Sequence, residues 1–388
     1  MLRIGIFLGI SSSSGGMFNY AQTILESLNG LDKKKYQIVV GYEDKIWESY
    51  LDEGFEKRQL GFKTISNLIV KFCNLLQLRQ HSKIFSFINP QISMMKKLNC
   101  NLWIFPSQDL QTYHMDGIVI GTIHDLMHRY ESKFPEVSSK YRYFLRENRF
   151  KNIVKNSSLI LVDSKLGKKQ VIESYMAESS KIIPLPYITP FYIKDSNERQ
   201  DFDKYYSLPR EFLFYPAQFW EHKNHKRLIR AINIIKKDFY NLKLVLTGLE
   251  MHSYKSITKL INSLGLEETV IFKGYVPEND LSGFYKRAKA LIFPSFFGPT
   301  NIPPLEAIST NCIPLVSDIY GMREQLGKCA IYFNPLKIDE IVDAIKIVLN
   351  NDPLVKKVRD NILERNLIDQ NLKHKNELEH IIKTAIKL

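Results

Sequence analysis

Between Lys57 and Gln108 the 388-residue chain carries no aspartate and no glutamate, while Lys57, Arg58, Lys63, Lys71, Arg79, Lys83, Lys96 and Lys97 all fall there among Leu, Ile, Phe and Met. Such a block suits an anionic lipid surface, or else a solvated face on core helices. Cysteine is also scarce. Cys73, Cys100, Cys312 and Cys329 show no CxxC spacing, which argues against a disulfide framework or a zinc site and fits a reducing compartment. No run approaches the roughly 18 uninterrupted apolar residues of a spanning helix. The opening MLRIGIFLGISSSSGG has one arginine and a short apolar run, so it reads as a first β-strand and not as a signal peptide. A cytoplasmic protein is expected, peripheral at the inner face of the cell membrane if the 57–108 block docks there. The glycine-rich GxGxxG turn of dinucleotide-binding domains is missing, as is any HExxH zinc signature or convincing DxD-like carboxylate pair. A net charge of +13 would suit nucleic acid, but the acid-free block has no recognisable RNA-binding module, so no nucleic-acid partner is expected.

What is present is a globular composition, 44% hydrophobic and 24% charged, long enough for two domains that each bury a core. Short apolar strands alternate with helix-period segments, the pattern of βαβ units and parallel sheets. Strands are predicted in LRIGIFLG, YQIVVGY, NLWIFPS, GIVIGTIHD, SSLILVDS and KIIPLP, then in EFLFYPAQ, LKLVLTG, VIFKGYV, ALIFPS, IPLVSD and AIYFNP. A proline-rich, then charged, stretch near residues 186–209 predicts the interdomain linker. After AIYFNP the chain turns helical, with Ile341, Ala344, Ile345 and Leu349 at helical spacing. The expected fold class is α/β: two doubly wound parallel-sheet domains facing each other across a cleft, with a C-terminal helical segment. Ligands in such sheets bind at the carboxyl ends of strands, so function is sought in strand-to-helix turns.

Five turns stand out. In GISSSSGGMFNYAQTILESL, Gly15 and Gly16 precede an amphipathic helix whose free N–H groups could meet an anion or a sugar hydroxyl. In GTIHDLMHRY, His124 follows a strand, where its ring could donate to a sugar oxygen or its carbonyl could support positive charge. His128, four residues on, would make a metal pair with it only weakly, for no glutamate stands between them as in HExxH. In YPAQFWEHKNHKRLIRAINII, Lys223 and Asn224 stand at a helix start, where an ammonium and the helix dipole together could hold a diphosphate. In VIFKGYVPENDLSG, Gly274, Tyr275 and Val276 could offer backbone groups to a base edge, before a helix over Glu278–Ala288. In PSFFGPTNIPPLEAIST, Pro303 and Pro304 suit a helix's first turn and place Glu306 in it. Glu306 there is either favoured by the helix dipole alone or accepts hydrogen bonds from the vicinal hydroxyls of a ribose.

Taken in order, these motifs resemble the retaining glycosyltransferases of family 4, nucleotide-sugar-dependent enzymes of the GT-B fold with two facing Rossmann-like domains. The likeness runs over nearly the whole chain. It is strongest from Phe212 to Pro335, through KNHKRLIRA, GYVPENDLSGFYKRAKALIFPS, PPLEA and AIYFNPLKIDEIVDAI, while SSGGMFNYAQTILESL, IHDL and LVDSKLGKKQVI agree in order in the first half. It implies an acceptor-binding domain over 1–195, a donor-binding domain over 196–370 and a helix over 371–388 that packs back on the first domain. Glu306 matches the second glutamate of the E-x7-E motif, on the donor ribose; Lys223 matches the lysine that neutralises the diphosphate, and His124 the histidine near the transferred sugar. The implied donor-binding set is Gly16, Gln218, Asn224, Tyr275, Val276, Gly298, Thr300, Asn301 and Ile302.

Two positions depart from the family. Gly298 replaces the first glutamate of the motif, leaving Thr300, Asn301 and local N–H groups to hold the sugar hydroxyls, and Gln218 stands where an arginine usually joins the lysine. Retention of Lys223, His124 and Glu306 favours an active enzyme that holds its donor differently. The implied reaction is metal-free, cofactor-free transfer of a hexosyl group with retention, from GDP-mannose or a UDP-linked hexose to a glycan or lipid-linked glycan in surface polysaccharide or lipopolysaccharide assembly. A nucleotide-sugar 2-epimerase of the same architecture, or a noncatalytic nucleotide-sugar binder, is the alternative.

Overall fold

The computed structural model describes residues 1–75, 88–194 and 198–387. The chain divides into two compact units, one of Met1–His128, Ser139–Ile188 and Gln370–Leu388, the other of Arg129–Ser138 and Thr189–Asp369.

The first unit is built on a seven-stranded sheet of β1 (Leu2–Leu8), β2 (Tyr36–Tyr42), β3 (Glu56–Gln59), β4 (Leu102–Ile104), β5 (Ile118–Thr122), β6 (Leu159–Val162) and β7 (Ile182–Pro184). Its order is β3-β2-β1-β4-β5-β6-β7, with every pair parallel. Alternation along β1 sends Ile4, Ile6 and Leu8 into one core and Phe7 into another, with Trp103 and Phe105. Gly5 has to be glycine, because a Cβ there would come within 2.4 Å of the Trp103 ring. Helix Gln370–Ile386 completes the first core with Leu378, Ile381, Ile382 and Ala385, and its His374 Nδ1 lies 2.7 Å from Ser27 Oγ. Each of the larger aliphatic side chains contributes about 2 kcal/mol by burial, enough to hold the helix far from its neighbours in sequence.

The second unit carries β8 (Phe212–Pro216), β9 (Lys243–Thr247), β10 (Val270–Phe272), β11 (Ala290–Phe293), β12 (Pro314–Ser317) and β13 (Ile331–Phe333), all parallel in the order β10-β9-β8-β11-β12-β13. Strand order thus reverses between β1 and β4 in the first sheet and between β8 and β11 in the second. Loops leaving the two strands at such a point run to opposite faces and leave a crevice at the carboxyl ends.

Each strand predicted from an apolar run is present. β3 was not foreseen: Glu-Lys-Arg-Gln lies at the sheet edge, where pairing on one side needs no hydrophobic run. The boundary between units also differs from 195/196. Arg129–Ser138 groups with the second unit because Phe134 and Val137 pack on Phe296 and Glu136 accepts from the main-chain N–H of Glu221 at 2.7 Å. Residues from Thr189 onward join it too, Thr189 donating to the Leu305 carbonyl at 3.4 Å.

Candidate active site

Lys223 ends a short 3-10 turn, Glu221–Lys223, between β8 and the helix His225–Ile235. The Tyr215 hydroxyl, on β8, donates to the Lys223 carbonyl at 2.7 Å and fixes the turn to the strand. The Lys223 ammonium lies 5.2 Å from the ring centroid of Phe293, the last residue of β11. It therefore reaches across the β8/β11 reversal. Among the described residues it makes no ion pair; burial lowers its pKa to about 8, and the field of Glu136 acts the other way. Glu136 itself is pushed up by burial, but hydrogen bonds from His222 and the Glu221 N–H outweigh this and hold it down at about 2.

Glu306 enters from the other side of the reversal, in the first turn of the helix Pro303–Ser309 that follows β11. Its carboxylate is buried, and both oxygens accept from phenols: Oε1 from Tyr192 and Oε2 from Tyr285, the latter at 2.5 Å. Burial raises the Glu306 pKa and the two phenol hydrogen bonds oppose that. Glu278, at the start of the helix Glu278–Arg287, is pushed up to about 7 by burial and by the charge of Glu306. The loop carrying Tyr275 and Val276 runs directly into Glu278, so this turn and Glu306 share one electrostatic neighbourhood. Tyr275 is exposed and Val276 buried, after Gly274 at φ +64°.

Other predicted contacts take structural work. Asn224 sits at φ +60°, a backbone asparagine tolerates, and its amide donates to the carbonyls of Pro294 (3.1 Å) and Pro335 (2.9 Å) while its oxygen accepts from Arg227. Its side chain clamps loops together, so only its backbone is left for a donor. Asn301 likewise donates to the Phe297 carbonyl and is held by Gln325 through both main-chain groups. The Gln218 side-chain oxygen accepts from Trp220 Nε1 at 2.8 Å. Thr300 and Ile302 are buried. Gly298 has φ +93°, and a Cβ there would meet the Thr300 carbonyl oxygen at 2.7 Å, so this loop has no place for the glutamate of the family motif.

In the first unit, Gly15 at φ +58° leads into the helix Gly16–Asn29 after β1, and Gly16 is exposed. His124 follows β5. Its Nε2 donates to the Pro106 carbonyl at 3.0 Å, which leaves Nδ1, 2.9 Å from the Tyr187 hydroxyl, as acceptor. Burial lowers its pKa to about 4, so the ring is neutral with both nitrogens engaged, and the expected donation to a sugar oxygen is not open to it. His128 pairs with Glu147 at 2.7 Å, apart from the partners of His124. Asp109, after β4, was missed by sequence reasoning; burial pushes it up to about 7, and Ser107 donates to it.

A cavity of about 310 Å³ in the second unit is lined by Phe134, Trp220, Asn224, Arg227, Arg230 and Phe296 among others, without Lys223 or Glu306. It adjoins the β8 turn and takes in Asn224 alone of the predicted donor-binding set. Tyr192, Tyr285, Glu136 and His222 escaped notice because each meets its partner across a long stretch of sequence, and no local spacing announces such meetings.

Residues 197–365 match the family Glycosyl transferases group 1. O-antigen chain mannosyltransferase RfbU of Salmonella typhimurium is 31% identical over 216 residues, 55% of this chain and 56% of that one. The chain thus spans about half the length of this curated relative. Among solved structures, a glycosyltransferase from Rickettsia africae superposes with TM-score 0.70 at 12% identity, covering 99% of this chain and 98% of that one. Anabaena Alr3699/HepE in complex with UDP-glucose gives 0.75 at 12% identity, covering 99% and 100%. Two Rossmann-like α/β units with C-terminal helices, as in solved glycosyltransferase structures, therefore carry a glycosyl transferases group 1 match over most of the second unit.

Proposed function

We propose that this chain is a retaining glycosyltransferase that moves a hexosyl group, mannosyl before others, from a nucleotide-diphosphate sugar to a glycan acceptor of a surface polysaccharide. The observation that carries the reading is the placement of Lys223 and Glu306 after the two neighbouring strands of the β8/β11 reversal, Lys223 in the turn that follows β8 and Glu306 in the first turn of the helix that follows β11. The name of the RfbU relative supports mannose and an O-antigen chain. In the proposed reaction the acceptor hydroxyl attacks the anomeric carbon on the face the diphosphate leaves and passes its proton to the departing phosphate oxygen. Lys223 and the N-terminus of the helix His225–Ile235 offset the charge that builds on that diphosphate.

Calorimetric titration with GDP, UDP, GDP-mannose and UDP-glucose tests the donor class, and NMR of the product anomer tests retention. Because Lys223 is held at about 8, it is charged below that pH and loses its charge above it. Affinity for GDP-mannose, whose diphosphate diester does not titrate in this range, is expected to change little from pH 6 to 7 and to fall as pH rises through about 8. Lys223→Arg, charged throughout, should flatten the profile; a wild-type profile already flat to pH 9.5 contradicts the assignment.

An anionic membrane surface is the proposed second partner. Phe62, Ile65, Leu68 and Phe72, on and just before the helix Lys63–Leu75, are each more than half exposed and fall on one helical face. Lys63 is paired with Glu43 at 2.7 Å and Lys96 with Asp116, whereas Arg79 and Lys83 lie outside the described residues. Sedimentation with phosphatidylglycerol vesicles should fall at high salt and fall further for Leu68→Glu; equal pelleting with neutral vesicles contradicts the proposal.

A further inference from the structure

We infer that Tyr192 is an internal competitor for the donor, a residue that sets donor affinity by holding the Glu306 oxygen a ribose would use. This rests on the reading that Glu306 takes the donor ribose. The two phenols on Glu306 are not equivalent. Tyr285, on the helix Glu278–Arg287, is fully buried against Phe214, and its hydroxyl reaches Oε2 from within the unit. Tyr192, on the four-residue helix Phe191–Lys194, is only half-buried and takes Oε1.

A carboxylate binds a vicinal diol by accepting one O–H on each oxygen, and its capacity is about four lone-pair sites in all. With Glu306 only 3% exposed and Tyr285 fully buried while Tyr192 is half-buried, a diol that is to reach both oxygens approaches from the Tyr192 side. The Tyr192 hydroxyl fills the position of one ribose hydroxyl. Tyr285 then acts as a positioning residue that keeps the carboxylate aimed, while Tyr192 must give way. Its four-residue helix lies among the first residues of the second unit, packed on the helices Glu278–Arg287 and Pro303–Ser309 with Ile193 buried. Because a hydrogen bond to a charged group is worth about 1.5 kcal/mol or more, yielding Oε1 weakens donor binding by roughly tenfold.

The test compares GDP with 2′,3′-dideoxy-GDP, and UDP with its dideoxy counterpart, by calorimetry on four proteins: wild type, Tyr192→Phe, Tyr285→Phe and Glu306→Gln. Tyr192→Phe should bind the ribonucleotide about tenfold tighter and the dideoxy form unchanged, so the ratio of the two affinities widens. A general loosening of the fold would move both ligands together and leave that ratio alone. Glu306→Gln should collapse the ratio toward one, and Tyr285→Phe should narrow it. If Glu306→Gln leaves the ratio untouched, the ribose reading of Glu306 fails. If Glu306→Gln collapses it while Tyr192→Phe leaves it unchanged or narrows it, Glu306 holds ribose and the competition is overturned.

Discussion

Replacing Lys223 by alanine is expected to lower turnover by ~10²-fold or more, the usual loss when a charge stabiliser of a transition state is removed. The size follows from its surroundings. Lys223 is half-buried with its ammonium near the Phe293 ring, it has no ion-pair partner among the described residues, and burial has already cut its pKa to about 8. A cation without a neutralising carboxylate in contact is open to an anion from outside, and partial burial screens its field less than bulk water does. Ground-state affinity for GDP or UDP should drop less than turnover, because charge on the diphosphate grows as the glycosidic bond breaks. Steady-state kinetics with GDP-mannose, read as separate kcat and KM, checks this; transfer at the wild-type rate by Lys223→Ala removes the lysine from the reaction.

Asn224→Ala is expected to cost about 3 kcal/mol of stability. Asn224 has both amide hydrogens committed to the Pro294 and Pro335 carbonyls, and it sits at φ +60° where alanine is strained by ~1 kcal/mol. Asn224→Gly relieves the backbone strain and not the lost hydrogen bonds, so it should fall between the two. Urea unfolding of the three proteins measures the series. Unchanged stability in Asn224→Ala, with weakened nucleotide binding, would return the residue to the donor-contact role that the resemblance implied.

The fold was legible where burial on both faces writes an apolar run, as in YQIVVGY or ALIFPS, because an inner parallel strand has no polar face to interrupt it. β3 had no such run. Lys223 and Glu306 were legible as candidates because each follows an apolar strand, and the sheet order sets those strands, β8 and β11, side by side. What those side chains touch was not legible. Tyr192 lies 114 residues from Glu306, and Tyr187 lies 63 from His124, so the phenol cage and the engaged imidazole depend on packing that no local pattern encodes. Gly298 looked like a lost glutamate in the sequence; its φ of +93° and the nearby Thr300 carbonyl make it instead a turn the loop requires.

The most direct measurement is a crystal structure of the protein with GDP or UDP. Diphosphate oxygens within ion-pair reach of Lys223 Nζ, and both ribose hydroxyls on the Glu306 carboxylate, are the predicted result. A nucleotide seated instead between Trp220 and Arg230, with Lys223 bare and Glu306 still held by its two tyrosines, contradicts the account.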